Sequence, residues 1–124
     1  MACLPANHPM AGRECFPITA FAEEDYIELY PGKETDNSQM LQRYNISPAV
    51  KYATSDNYAA YAMVAAGLGI ACTNAIIAES FTEGVRYLPL IPAQTIEIGI
   101  ATPKVKLMSP AAERFARFAT ERFL

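Results

Sequence analysis

The chain of 124 residues has one histidine, His8, and three cysteines, Cys3, Cys15 and Cys72. That scarcity argues against a metal centre, because a zinc site gathers several nitrogen and sulfur ligands and these positions are dispersed. An odd cysteine count also fits poorly with a disulfide framework, so a reducing compartment is expected. Nucleophilic catalysis by a thiol would need His8 beside Cys15 or Cys72, and nothing in the spacing brings them together. Cys72 falls in an apolar stretch and reads as core. Blocks of lysine and arginine are missing too: ten basic residues face thirteen acidic ones, for a net charge of −3. The densest basic group is Arg114, Arg117 and Arg122. A nucleic-acid footprint is therefore not expected on this chain itself.

Long hydrophobic runs are lacking as well. The apolar stretch over 59–72 is broken by Gly67 and Gly69 and is too short for a membrane span. The first residues show no basic region followed by an apolar core, so no secretory leader is expected. A cytoplasmic protein without a membrane role is the simplest reading. No cofactor is expected either. Gly67-Leu68-Gly69 stands at a helix end, the wrong side for cradling a phosphate. Glu23-Glu24-Asp25 precedes a strand and reads as a solvated face rather than an acid–base pair.

What the chain does have is apolar material, 52% of its residues against 19% charged, enough for the core of one domain or of one and a small piece of a second. Residues 1–4 read as a strand running into Pro5. A turn-rich stretch leads to Phe16-Pro17-Ile18, then to a short turn or helix over 19–21. The alternation in Asp25-Tyr26-Ile27-Glu28-Leu29-Tyr30 predicts a strand, broken by Pro31-Gly32. Thr35-Asp36 opens a helix to about Tyr44, and Ala49 to Ala53 form the next strand.

Ser55 is placed to cap a helix whose apolar positions are Tyr58, Tyr61, Ala62, Ala65 and Leu68. Gly67 suits the left-handed residue that ends it. A strand over 70–73, a short helix over 75–80 and strands over 85–90 and 95–101 follow. Ser109-Pro110 starts a final helix, with Ala112, Phe115, Ala116, Ala119 and Phe123 on its apolar face and Phe118 at the edge. Strands alternating with helices imply a largely parallel sheet covered on both faces.

Five segments in order resemble the effector-binding domain of LysR-type transcriptional regulators. They are Leu4-Pro5 with His8-Pro9-Met10-Ala11, the strand over 25–29, and the strand, helix and Val64-Ala65-Ala66-Gly67-Leu68-Gly69-Ile70 core. Leu88-Pro89-Leu90 and Ser109-Pro110-Ala111-Ala112 with Phe115 complete the set. Each motif is weak alone; together they cover the whole chain. The resemblance implies an α/β fold: a type 2 periplasmic-binding-protein-like lobe with a mostly parallel sheet flanked by helices, plus a remnant of the second lobe. Residues 1–87 would be a nearly complete effector-binding lobe. Residues 88–124 would supply the crossover, a strand and the C-terminal helix of the other lobe.

The implied function is sensing of a small-molecule effector, typically an organic acid, without catalysis. The ligand-binding candidates are Thr54 and Ser55, where a helix begins after a strand, and Tyr30 and Pro31 beside Lys33, at a strand's carboxyl end. Each has a plainer reading, Ser55 as a helix cap and Tyr30 to Lys33 as an ordinary turn. Asp56 would oppose an anion unless it faces away. Leu4, Pro5, Leu90 and Pro92 are the hinge candidates, because the chain would cross between lobes there. A homo-oligomer is expected, since wet phenylalanines on the final helix would forgo roughly 1.5–3 kcal/mol each. Contact with DNA would run only through a winged helix-turn-helix that this chain lacks. The rival readings are a solute-binding protein of the same fold serving a transporter, a small thiol hydrolase, and a degenerate domain kept for association.

Overall fold

The computed structural model describes residues 1–103 and 108–123. It divides into two units, Met1–Gln94 and Thr95–Leu124. In the first, strand β1 (Ala2–Pro5) is buried throughout and lies between β5 (Ala71–Cys72) and β6 (Val85–Leu88), antiparallel to both. Strand β3 (Asp25–Leu29) pairs in parallel with β4 (Ala49–Thr54), with a bulge between Tyr26 and Ile27. On its other side β3 meets the residue before β5. The Ile27 N–H donates to Ile70 O at 2.9 Å, and the Ile70 N–H donates to Asp25 O at 2.8 Å. These bonds join the pairings into one sheet of order β4-β3-β5-β1-β6, in which β1 alone runs against the rest. The mostly parallel sheet expected from the alternation of elements is thus present. A further parallel pair, β2 (Phe16–Pro17) with β7 (Leu90–Ile91), was not anticipated. Strand period explains its absence: two residues carry no alternation to read.

Alternation across the pleat builds two cores. Ala2, Leu4, Tyr26, Ile70, Cys72 and Leu88 face one way and pack with Met40 and Leu41 of α1 (Asp36–Arg43). Cys3, Ile27, Leu29, Ala71 and Val85 face the other and pack with Ala60, Tyr61 and Val64 of α2 (Asn57–Ala65). Helix α1 begins with a capping box between Thr35 and Ser38. Gly67, at φ +77, ends α2 in the left-handed region as its sequence position suggests. Gly69 has a different task. A Cβ there would stand 2.6 Å from Asp25 O, so only glycine lets the segment entering β5 approach β3 this closely. A four-residue helix, α3 (Ala75–Ala78), capped by Asn74, leads on to β6.

Three expectations are corrected. The strand over 85–90 is split at Pro89, which has no N–H for a ladder but accepts from the Phe16 N–H at 2.8 Å. Asp56, not Ser55, caps α2: its carboxylate accepts from the Ala59 N–H at 2.8 Å. Strand β4 runs on to Thr54, which leaves Ser55 as connection, and a carboxylate is well matched to the positive end of a helix. In the second unit, residues 95–101 form no strand. Ile96, Ile98 and Ile100 alternate as a strand should, yet all three are exposed, and no strand among the described residues pairs with them. The final helix α4 (Pro110–Phe123) forms as expected, its first turn capped by Ser109 Oγ accepting from the Ala112 N–H at 3.2 Å. Phe115, Phe118 and Phe123 are exposed on it.

Candidate functional site

In the first unit, the carboxyl ends of β3, β4 and β5 lie along one edge of the sheet, where open α/β sheets bind ligands. Tyr30 follows β3 with φ at +56, a left-handed conformation that bulky side chains seldom adopt. Its N–H donates to Thr54 O at 2.8 Å, so two residues singled out from separate parts of the sequence are brought together. The Tyr30 hydroxyl accepts from Asn57 Nδ2 at 3.2 Å. Lys33 closes the turn through its N–H to Tyr30 O at 3.1 Å and sets its ammonium 5.9 Å from the Tyr30 ring centroid, in cation–π range. Pro31 lies exposed in that turn. Ser55 is exposed beside the group, and Thr54 Oγ1 accepts from the Asp56 N–H at 3.2 Å. Asp56 turns its carboxylate back onto α2, where it occupies an N–H that an anion would otherwise seek. In the sequence Asn57 is only the last of the four residues that open α2; its contact with a tyrosine 27 positions away gives it a part in the site.

A groove of about 530 Å³ runs on the α1 side of the sheet. Tyr26, Leu41, Ile46 and Val50 give it an apolar floor, with Glu28, Asn37 and Gln42 as polar lining. None of Tyr30, Pro31, Thr54 and Ser55 lines it, but Lys33 does, which connects the groove to the tyrosine turn. Periodicity could not have revealed the groove, since it forms where α1 leaves β4 uncovered.

The hinge candidates are placed differently from one another. Leu4 and Pro5 lie inside β1, laddered to Arg86 and Val85. Leu90 is in β7, and Pro92 follows it, two residues short of the end of the first unit.

Burial governs the shifted thiols and phenols of the first unit. Burial pushes the Cys3 thiol up to about 12 and the Cys72 thiol up to about 11. The Tyr26, Tyr61 and Tyr87 hydroxyls are likewise raised, chiefly by burial. Cys3 and Cys72 face opposite cores. His8 is engaged elsewhere, its Nε2 3.3 Å from Glu24 and its Nδ1 accepting from the Met10 N–H. Among the described residues no group of three histidine, cysteine or acidic side chains could hold a metal ion. No helix among them is long and apolar enough to cross a membrane.

Comparison with known proteins adds to this geometry. The chain is 28% identical over 122 residues to the uncharacterized HTH-type transcriptional regulator YybE of Bacillus subtilis, and 25% identical over 120 residues to YnfL of Escherichia coli. These alignments take in 97% and 93% of the chain but only 42% and 40% of the two regulators, so the chain spans less than half their length. Its fold is similar to the regulatory domain of CcmR from Synechocystis in complex with 2-PG, at a TM-score of 0.77 and 19% identity. It is also similar to the effector-binding domain of QuiR in complex with shikimate, at a TM-score of 0.69 and 19% identity. Each comparison covers 99% of this chain and 62% of the other. The LysR substrate binding domain, as a family, matches residues 1–124 from end to end, and the chain belongs to that family.

Proposed function

We propose that this chain is the small-molecule-sensing part of a bacterial LysR-type regulator, and that its effector is an organic acid held at the strand ends by Tyr30, Pro31, Thr54 and Ser55, with Lys33 supplying positive charge. The observation that carries the reading is the convergence at Tyr30. A strained tyrosine, fixed by Thr54 and Asn57 and flanked by an ammonium, stands at the edge where this fold takes ligands. Shikimate, bound in the QuiR complex, is a carboxylate, which supports the choice of ligand class.

Residues 1–87 would form one lobe, and 88–124 would belong to the other. Leu4, Pro5, Leu90 and Pro92 remain the hinge candidates; the first three are laddered to neighbouring strands, and Pro92 alone of the four lies outside a strand. An effector that prefers one arrangement of the lobes would shift a homo-oligomer, and DNA would feel the shift through a winged helix-turn-helix elsewhere in a longer protein. The chain would act in the cytoplasm and catalyse nothing. A thiol raised by burial is a poor nucleophile, which weakens the hydrolase alternative at Cys72, one of its two candidates with Cys15. Kinship with HTH-type regulators weighs against a transporter's solute-binding protein.

The test is thermal denaturation of the 124-residue chain with benzoate or shikimate against chloride at equal ionic strength. A ligand at a hundredfold its Kd stabilises by about 2.7 kcal/mol, so even millimolar affinity raises the melting temperature. The rise should be lost in Lys33→Ala and in Tyr30→Ala. Equal melting in both salts, or a rise that survives both substitutions, would remove the site.

A further inference from the structure

We propose that Asn57 is a positioning residue that sets the hydrogen-bond polarity of Tyr30, making the strand-end site selective for ligands that present an acceptor oxygen. The inference rests on the site proposed above and adds to it the reason for its preference. A phenol hydroxyl carries one proton and can also accept. Asn57 Nδ2 donates to Tyr30 Oη at 3.2 Å, so the accepting side of the hydroxyl is occupied from α2. Among the described residues the hydroxyl has no acceptor for its own proton, which is left to point away from Asn57.

The phenol ring is held in place. Its backbone is fixed by the N–H to Thr54 O at 2.8 Å, and its ring packs against the α2-side core. Tyr30 and Asn57 are both half-buried, so a proton without an acceptor costs more here than in open water. The Lys33 ammonium beside the ring acts in the same direction. A carboxylate or other anionic oxygen satisfies both groups. An ammonium satisfies neither: it meets a hydroxyl whose accepting side already faces Asn57, and beside it the like charge of Lys33.

The experiment is a double-mutant cycle on the full 124-residue chain with Tyr30→Phe, Asn57→Asp and the pair, titrated with benzoate and formate and followed by amide chemical shifts. An aspartate accepts the tyrosine proton and turns the hydroxyl's lone pair outward. Tyr30→Phe is expected to weaken benzoate roughly tenfold, as loss of a bond to a charged acceptor should. Asn57→Asp should weaken it strongly in the wild-type background and by at least roughly threefold less in the Tyr30→Phe background, because part of its effect passes through the hydroxyl. Benzylamine should gain in Asn57→Asp only while Tyr30 is present. If Asn57→Asp has the same effect in both backgrounds, Asn57 does not act through Tyr30 and the inference fails while the site stands. If neither carboxylate shifts the amides of Tyr30, Thr54 and Asn57 in the wild type, the site itself falls and the inference with it. Should the amide spectrum show Asn57→Asp unfolded, Asn57→Ser enters the same cycle, with the same requirement that its effect shrink in Tyr30→Phe.

Discussion

Residues 1–94 and 95–124 carry apolar patterns of similar quality and put them to different use. In the first stretch, Ile27 and Cys3 lie on strands with neighbours on both sides, and both are wholly buried. In the second, Ile96, Ile98 and Ile100 alternate just as cleanly and remain 42–67% exposed without forming a strand. The contrast separates two things that a sequence pattern merges. Alternation says which side chains share a face; a hydrogen-bonding neighbour decides whether there is a strand to have faces.

The sharpest way to break this comparison is to cut rings out of each region. Phe16 is fully buried, with its ring centroid 4.9 Å from that of Phe21. Phe16→Ala should cost about 3–5 kcal/mol of unfolding free energy in urea titrations. Phe115, 69% exposed, should change it by no more than about 0.5 kcal/mol when replaced by alanine. Comparable losses from the two substitutions would mean that the final helix is held as firmly as the sheet.

Alkaline pH sharpens the contrast, because both strongly buried thiols, Cys3 and Cys72, belong to residues 1–94. Their folded values, about 12 and about 11, lie above the ordinary 9.0, so the folded state favours the neutral thiol. The stabilisation this provides is complete below pH 9. As the pH climbs past 9 the unfolded thiols ionise first, and stability falls by about 1.4 kcal/mol per unit for each thiol until the folded group ionises too. Urea midpoints should therefore drop between pH 9 and 11, and Cys72→Ala should flatten the slope. In native-state labelling Cys15, the half-buried thiol, should react first, with Cys3 and Cys72 following only on unfolding.

Much of the sheet was legible, for a reason visible at individual residues. Tyr26 and Ile27, or Cys3 and Leu4, assign themselves to opposite faces by period alone, and Pro31, Gly67 and Pro110 mark boundaries by backbone chemistry. The site was legible in part. Tyr30 and Thr54 could be named because strand ends are where such folds bind, but their mutual hydrogen bond needed the parallel register of β3 and β4. The part Asn57 plays and the α1-side groove were hidden for the same reason, since both arise from pairings between distant segments. Residues 95–101 are the converse case: their alternation is local, and a strand also needs a long-range partner.

Helix caps give the smallest and finest test of the two regions, because capping is local and should be readable anywhere. At α4 the expected residue, Ser109, does the capping; at α2 the expected Ser55 yields to Asp56, one position on. Both serines are good caps by type, so residue preference cannot explain the difference. Register can. Strand β4, held by β3 as far as Leu29 opposite Thr54, reaches far enough that the first residue free to turn into the helix is Asp56. Asp56→Ala should accordingly cost about 1 kcal/mol in urea unfolding, whereas Ser55→Ala should cost no more than a few tenths. Ser109→Ala should lower helical circular dichroism slightly and leave the urea midpoint of the sheet in place. Were Ser55→Ala to match Asp56→Ala, the helix would start a residue earlier and the strand end would no longer be fixed by its neighbour.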